Sequence, residues 1–288
     1  MTPMIVGYWG KPTSTIDWCE ENYVVWNFVA EFWNTISNLA IMIPSMIGYY
    51  YSNKNNLELQ SKLCFISLFF VGLGSWMFHM TLLYEMQLFD ELPMLWGSLI
   101  LIYNLVIHNY SIYEQNQSKN KLLKFFLIFY GLLSMIVYLS FKTPILFQAA
   151  YVILVTYLLY LDILLIRNKP CNKTIFYCAI IFYYSACLLW LIDNFFCEKL
   201  RNFRSNLSET SSVILKLFGP FTQLHAWWHV FAGYGTYLHI LFCTHSRYLD
   251  KKHPKLVFKF KWTVGLILDR SNNNDNDGDK LNHRQKIA

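Results

Sequence analysis

His225 and His229 fall in the run LHAWWHVFAG, and His79 closes GSWMFH, each inside an apolar stretch. Four residues apart on a helix, the first two share one face with converging rings, and neutral imidazole is the commonest protein ligand for zinc. A third imidazole from another helix completes three protein ligands and leaves the fourth position to water, as in catalytic zinc sites. Any one buried histidine is explained by a hydrogen bond to backbone or hydroxyl. Three together at membrane depth point to function, because ionisable groups in lipid are costly. Three neutral ligands also leave the ion its full charge, which brings the pKa of bound water to around 7. HAWWH lacks the glutamate of HExxH metalloproteases, so the general base must come from elsewhere. Asp90 is the first candidate and Glu91 the second. Ser75 lies four residues before His79, on its face, where a hydroxyl can hold a substrate carbonyl or an oxyanion. Structural alternatives are a Ser75 hydroxyl bonded to its own helix and an Asp90 that caps a helix near Pro93.

A second constellation lies upstream in STIDWCEENYVV, where Asp17, Glu20, Glu21 and Asn22 crowd together and Glu31 follows. Crowded hard oxygens with a carboxylate from a nearby helix suit calcium. The spacing is not an EF-hand, and on composition alone a solvated acidic loop is the better reading.

Membrane helices must position these groups. The chain of 288 residues is 55% hydrophobic and 15% charged, with a mean hydropathy of +0.28. Seven apolar stretches, near 31–51, 62–82, 93–108, 122–140, 145–166, 174–196 and 217–244, are candidates to cross a bilayer core of about 30 Å. The predicted fold is therefore all-α: seven transmembrane helices around a buried zinc site, with no signal peptide and no solenoid repeat. The predicted domains are a lumenal N-terminal loop at 1–30, a membrane domain at 31–262 and a disordered cytosolic tail at 263–288. Lys54, Lys62, Lys119, Lys121, Lys124, Arg167, Lys169 and Lys173 gather on one side. Arg247, Lys251, Lys252, Lys255, Lys259 and Lys261 of the C-terminal region join them. The positive-inside rule puts that side in the cytosol and the N-terminus in the lumen. Lys199, Arg201, Arg204 and Lys216 run against the rule, since this topology makes their loop lumenal. The same topology brings Ser75, His79, Asp90, His225 and His229 to one membrane face, independently of the charge count.

The runs YWGKPTSTIDWCEENYVVWNFVAEFWNTISNL, GLGSWMFHMTLLYEMQLFDELPML, NFFCEKLRNFR and QLHAWWHVFAGYGTYLHILF resemble the alkaline ceramidase family, its third, broadly expressed type above all. The resemblance covers about residues 7 to 260. It implies a seven-span hydrolase of the endoplasmic reticulum and Golgi that cleaves the amide of ceramide to a sphingoid base and a fatty acid. The family is distantly related to adiponectin receptors through the same zinc core. Carried over by position, the zinc ligands fall on His79, His225 and His229, and the polar partners on Ser75 and Asp90. The calcium ligands fall on Asp17, Trp18 through its carbonyl, Glu20, Asn22 and Glu31. Of the seven cysteines, the resemblance pairs Cys19 with Cys197, and an oxidising lumen permits such a bond.

The expected partner is thus a membrane lipid, ceramide; neither nucleic acid nor an obligatory protein partner is implied. A heptahelical lipid-responsive receptor is the alternative. A transporter is disfavoured, since there is no internal repeat and no pair of broken helices flanking a midplane site. The closing RQKIA resembles a dibasic retrieval signal, and Asn206 heads a glycosylation sequon.

Overall fold

The structure is a computed structural model that describes residues 7–209, 219–251, 256–261 and 265–270. Its helices are α1 (Phe32–Ser37), α2 (Leu39–Lys54), α3 (Leu59–Thr81), α4 (Tyr84–Asn109) and α5 (Ser111–Gln115). There follow α6 (Gln117–Phe141), α7 (Pro144–Asn168), α8 (Lys173–Phe195), α9 (Cys197–Glu209), a 3₁₀ turn (Gly219–Thr222) and α10 (Leu224–Asp250). Strands β1 (Leu256–Lys261) and β2 (Gly265–Arg270) close the order as an antiparallel hairpin.

Five of these helices, α3, α4, α6, α7 and α8, are long and apolar enough to cross a membrane. Phe125, Ile128, Phe129, Ile153, Ile181 and Tyr184 on α6, α7 and α8 are each more than half exposed. So continuous an apolar surface belongs against lipid rather than water, and helices alone satisfy their own backbone there. The chain is an all-α membrane protein carrying one short hairpin.

Two of the seven expected spans differ from simple apolar helices. The first is broken at Asn38, whose side-chain amide donates back to the Asn34 carbonyl at 2.9 Å. That leaves α2 with 16 residues, too few to cross about 30 Å alone. The last, α10, has ample length at 27 residues, but His225, His229, His239, His245 and Arg247 make it polar. The third span starts earlier than expected, at Tyr84, so that Asp90 lies on a helix rather than before one. The expected disordered tail at 263–288 also needs correction, because residues 265–270 pair with β1. The hairpin docks where Asn55 Nδ2 donates to the Leu268 carbonyl at 3.3 Å and Lys54 meets Asp269 at 3.0 Å. Lys216, Lys252, Lys255 and the RQKIA end lie outside the described residues.

α3 and α4 form the spine that positions the site. Pro93 sits inside α4 and has no N–H to offer the carbonyl four residues earlier, that of Phe89. A Cβ on Gly74 of α3 would stand 1.8 Å from that oxygen. Only glycine admits the approach, and the residues beside the contact are Ser75 and Asp90. At this end of the bundle the N-terminal segment folds over the helix ends. Thr13 and Ser14 each donate a backbone N–H to the Leu82 carbonyl at 3.1 Å. A disulfide joins Cys19 to Cys197 across a Cα–Cα distance of 5.2 Å. The opposite end is held by charge. Arg247 meets Glu58 at 2.5 Å, and Lys251 meets Glu58 and Glu114 at 2.7 Å each.

Candidate metal centre

Backbone bookkeeping at the end of α3 sets the first part of the site. A helix leaves its last carbonyls without partners. Here the Met80 carbonyl accepts from Ala30 N–H and the His79 carbonyl from Glu31 N–H, both at 2.9 Å. Glu31 is thereby fixed beside His79, and its Oε2 lies 2.5 Å from His79 Nδ1. His225 and His229 enter from the first two turns of α10. All three imidazoles are buried, and one ring nitrogen from each lies within 4.8 Å of the others.

The ring nitrogens divide between orientation and an open position. His229 Nδ1 is 2.8 Å from Ser37 Oγ, and its Nε2 is 3.3 Å from Ser75 Oγ. His79 Nε2 and His225 Nδ1 are buried without a hydrogen-bond partner among the described residues. The His225 ring is stacked between Trp18, at 3.8 Å, and Trp228, at 5.1 Å. Buried imidazole nitrogens without partners, in a cluster of three histidines, fit a borderline cation such as zinc, and the Glu31 and Ser37 contacts are the outer partners such ligands need.

Asp90 follows Phe89 on α4 and so lies across the α3–α4 approach from Ser75, whose hydroxyl is among the groups that act on its carboxyl. Glu91, the second candidate for the base, is turned away. It accepts from Tyr138 Oη, and from Gln87 Nε2 at 3.3 Å. Sequence reasoning had no place for Ser37 or Tyr138. It also placed Glu31 only in the calcium set, not on His79. The signal for the first helix was there in Glu31, Asn34 and Asn38, which recur at helical spacing in an apolar run and are all fully buried.

The acidic loop is more structured than its composition implies. Glu20 is buried, and its two oxygens accept from Trp33 N–H at 2.7 Å and Asn34 N–H at 2.8 Å, capping α1 from a distance. Burial first, and then the neighbouring Glu31 charge, push the Glu20 carboxyl up to about 8. Asn22 Oδ1 and Glu31 Oε1 are buried without hydrogen-bond partners among the described residues. The Trp18 carbonyl accepts from Arg201 Nη2 at 2.8 Å, and mostly exposed Asp17 lies 3.7 Å from the same nitrogen. Arg204 pairs with Glu21 at 2.8 Å and donates to the Cys19 carbonyl at 2.6 Å. Two of the basic residues that ran against the charge rule are therefore spent on this loop. The buried carboxylates and the orphaned Asn22 and Glu31 oxygens fit a hard cation, with Arg201 on two of the five expected ligands.

Fold and site together define a multi-pass helical membrane protein with a buried cluster of three histidines, beside a serine, that could hold a metal ion. Comparison with known proteins narrows that class. The ceramidase family model matches residues 10–269, and the chain belongs to that family. It is 43% identical to mouse alkaline ceramidase 3 over 256 residues, covering 88% of this chain and 92% of the mouse protein. Similarity extends to the Saccharomyces cerevisiae alkaline ceramidase YPC1, at 32% over 278 residues with 90% and 85% covered. An Arabidopsis thaliana alkaline ceramidase is 29% identical over 252 residues, with 84% and 89% covered.

Proposed function

We propose that the protein is a zinc-dependent amidohydrolase that works within the membrane, cleaving ceramides to a sphingoid base and a free fatty acid. The observation that carries this reading is the convergence of His79, His225 and His229 beside Ser75 and Asp90, in a chain whose relatives are named alkaline ceramidases. Zinc held there supplies a Lewis acid and makes water a nucleophile near neutral pH. The protein's own groups do the rest. Asp90 takes a proton from the attacking water and returns one to the leaving nitrogen as the C–N bond breaks, so that acid and amine separate. The Ser75 hydroxyl holds the amide oxygen as it gains charge. Glu31 accepts from His79 Nδ1–H and Ser37 partners His229 Nδ1, fixing the tautomers that leave each Nε2 free.

Calcium at Asp17, the Trp18 carbonyl, Glu20, Asn22 and Glu31 raises activity in this account. Glu31 is the link, with Oε2 on His79 and Oε1 facing the loop without a partner among the described residues. The ion also relieves the mutual repulsion of Glu20 and Glu31. Occupation of the full set requires Arg201 to release Trp18 and Asp17. Seven crossings follow if α1 and α2 count as one broken span and α10 as the last. The N-terminus then lies in the lumen of the endoplasmic reticulum or Golgi and the C-terminus in the cytosol. The Cys19–Cys197 disulfide at the N-terminal face supports that orientation, because such bonds persist in oxidising compartments. The test is mass-spectrometric detection of both products from ceramide, using purified protein in detergent. Wild type should release fatty acid and sphingoid base in equal amounts and His225→Ala neither. No release by wild type, or full release by the variant, refutes the reading.

A further inference from the structure

Half a bundle away from the histidine centre, a second trio of ligand side chains is buried. Asp162 of α7 and His239 and Cys243 of α10 each offer an atom within 4.8 Å of the other two. Their exposures are 2%, 6% and 3%. His239 lies ten residues beyond His229 on α10, about 15 Å along the axis at 1.5 Å per residue. Nothing in the hydrolytic reading uses these groups.

The hydrogen bonds around His239 decide which nitrogen is free. Thr236 Oγ1 donates to the Ala232 carbonyl at 2.8 Å, so its oxygen is the acceptor for Tyr183 Oη–H at 3.0 Å. Tyr183, having given its proton to Thr236, can only accept from His239, whose Nδ1 is 3.4 Å away. The proton of the neutral ring is therefore on Nδ1, and Nε2 carries a lone pair. That lone pair faces the Asp162 carboxylate, whose two oxygens are 3.1 and 3.0 Å off. Two acceptors turned towards each other in a buried setting require a positive charge between them. A proton meets that need for His239 and Asp162 alone; it gives no role to the Cys243 sulfur beside them.

We infer that Asp162, His239 and Cys243 form a second divalent-metal site, suited to zinc. Carboxylate, imidazole and thiolate are the ligand types zinc takes, at about 2.0 Å for oxygen and nitrogen and about 2.3 Å for sulfur. Such bonds set ligand atoms about 3.5 Å apart in a tetrahedron. That spacing lies between the 3.0 Å from His239 Nε2 to Asp162 and the 4.8 Å within which all three ligand atoms fall. The relay from Tyr183 to the Ala232 carbonyl is the outer support that orients a ligating histidine. The position also has a structural purpose. Asp162 and His239 join α7 to α10 within the bundle, where α7 packs chiefly on α4 and α10 chiefly on α8 and α2. Beyond the end of α7, Lys169 meets Asp250 at 2.8 Å and the Pro170 carbonyl accepts from Ser246 at 2.9 Å, which ties the following segment to the last turns of α10.

The experiment counts zinc per chain by elemental analysis after zinc loading and desalting of detergent-purified protein. Wild type is expected to hold two equivalents, and Asp162→Asn and Cys243→Ser one each, with ceramide turnover kept in Cys243→Ser. His79→Ala is expected to hold one equivalent that Cys243→Ser, added to it, removes. With cobalt in place of zinc, His79→Ala should show thiolate-to-cobalt charge-transfer absorption that vanishes in His79→Ala/Cys243→Ser. Should Asp162→Asn not fold, the near-isosteric Cys243→Ser decides alone. A zinc count that Cys243→Ser leaves unchanged, in wild type and in His79→Ala alike, overturns the site and identifies a proton as the bridging charge. The histidine centre fails separately, if His79→Ala leaves the count unchanged.

Discussion

Gly74→Ala tests whether the α3–α4 approach, rather than the ligands alone, makes the centre catalytic. The added methyl would stand 1.8 Å from the Phe89 carbonyl oxygen and 2.5 Å from its carbon. That oxygen belongs to backbone, so it cannot swing aside as a side chain would. Restoring ordinary contact, about 3.2 Å or more, requires the two helices to part locally by about 1.4 Å. The residues carried apart are Ser75, next to Gly74, and Asp90, next to Phe89, the two polar groups that face each other across this approach. A misplacement of about 1 Å costs around 10²-fold in rate, and overpacking costs about 1–3 kcal/mol in stability. The variant should therefore fold with a lowered melting temperature, hold zinc, and lose about 10²-fold in kcat for ceramide. Gly72→Ala is the control: its methyl would meet Met42 Cγ at 2.8 Å and Ile41 Cβ at 3.1 Å, side-chain atoms with more room to give than a backbone carbonyl 1.8 Å away. It should lose less than about 10-fold, by the same scale of misplacement. Purified variants assayed for single-turnover fatty acid release, zinc content and thermal melting decide the matter. Wild-type kcat in Gly74→Ala would refute the reasoning, as would equal losses in the two variants.

Four further outcomes are expected. Asp90→Asn should retain zinc while the chemical step falls by about 10²- to 10⁴-fold; loss of the metal together with activity would make Asp90 structural. Glu31→Gln should weaken zinc binding by about 10- to 100-fold through His79 and abolish the rise of activity with calcium, as read by metal titrations. Chelation of calcium should lower turnover and melting temperature of the wild type, and Glu20→Ala should show neither response. At the other end, burial raises the Glu58 carboxyl, but hydrogen bonds from Arg247 and Lys251 outweigh it and the net direction is down. A lowered carboxyl stabilises the fold above its ordinary range near 4.5 and stops doing so as pH falls through the folded value. Glu58→Gln should thus cost about 2 kcal/mol at neutral pH, and its melting temperature should converge with that of wild type on acidification.

What could be read in advance followed from spacing along single helices. His225 and His229 one turn apart, and Ser75 one turn before His79, carry their geometry in the sequence. The apolar runs set which membrane face they share. Contacts made between distant segments were a different matter. Glu31 meets His79 only because residues 30 and 31 supply the N–H groups that the last turn of α3 lacks. Gly74 reads as an ordinary small residue until Pro93 is seen to free the carbonyl it touches. Arg201 and Arg204 count against a lumenal loop in the sequence because nothing local shows that they lie against the acidic loop about 180 residues away. The β1–β2 hairpin was missed because its strands, LVFKFK and GLILDR, are short and follow a helix with no clear turn signal between them. Asp162, His239 and Cys243 carry no joint signal in the sequence, since 77 residues separate the first two and only the fold brings them side by side.

The most direct measurement is ceramide hydrolysis by purified protein stripped of zinc with a chelator and then given zinc back. Stripped wild type should release no fatty acid, and added zinc should restore the full rate in wild type but none in His79→Ala, His225→Ala or His229→Ala. Wild-type turnover by demonstrably zinc-free protein, or restoration in any of the three variants, would contradict a catalytic metal held by those histidines.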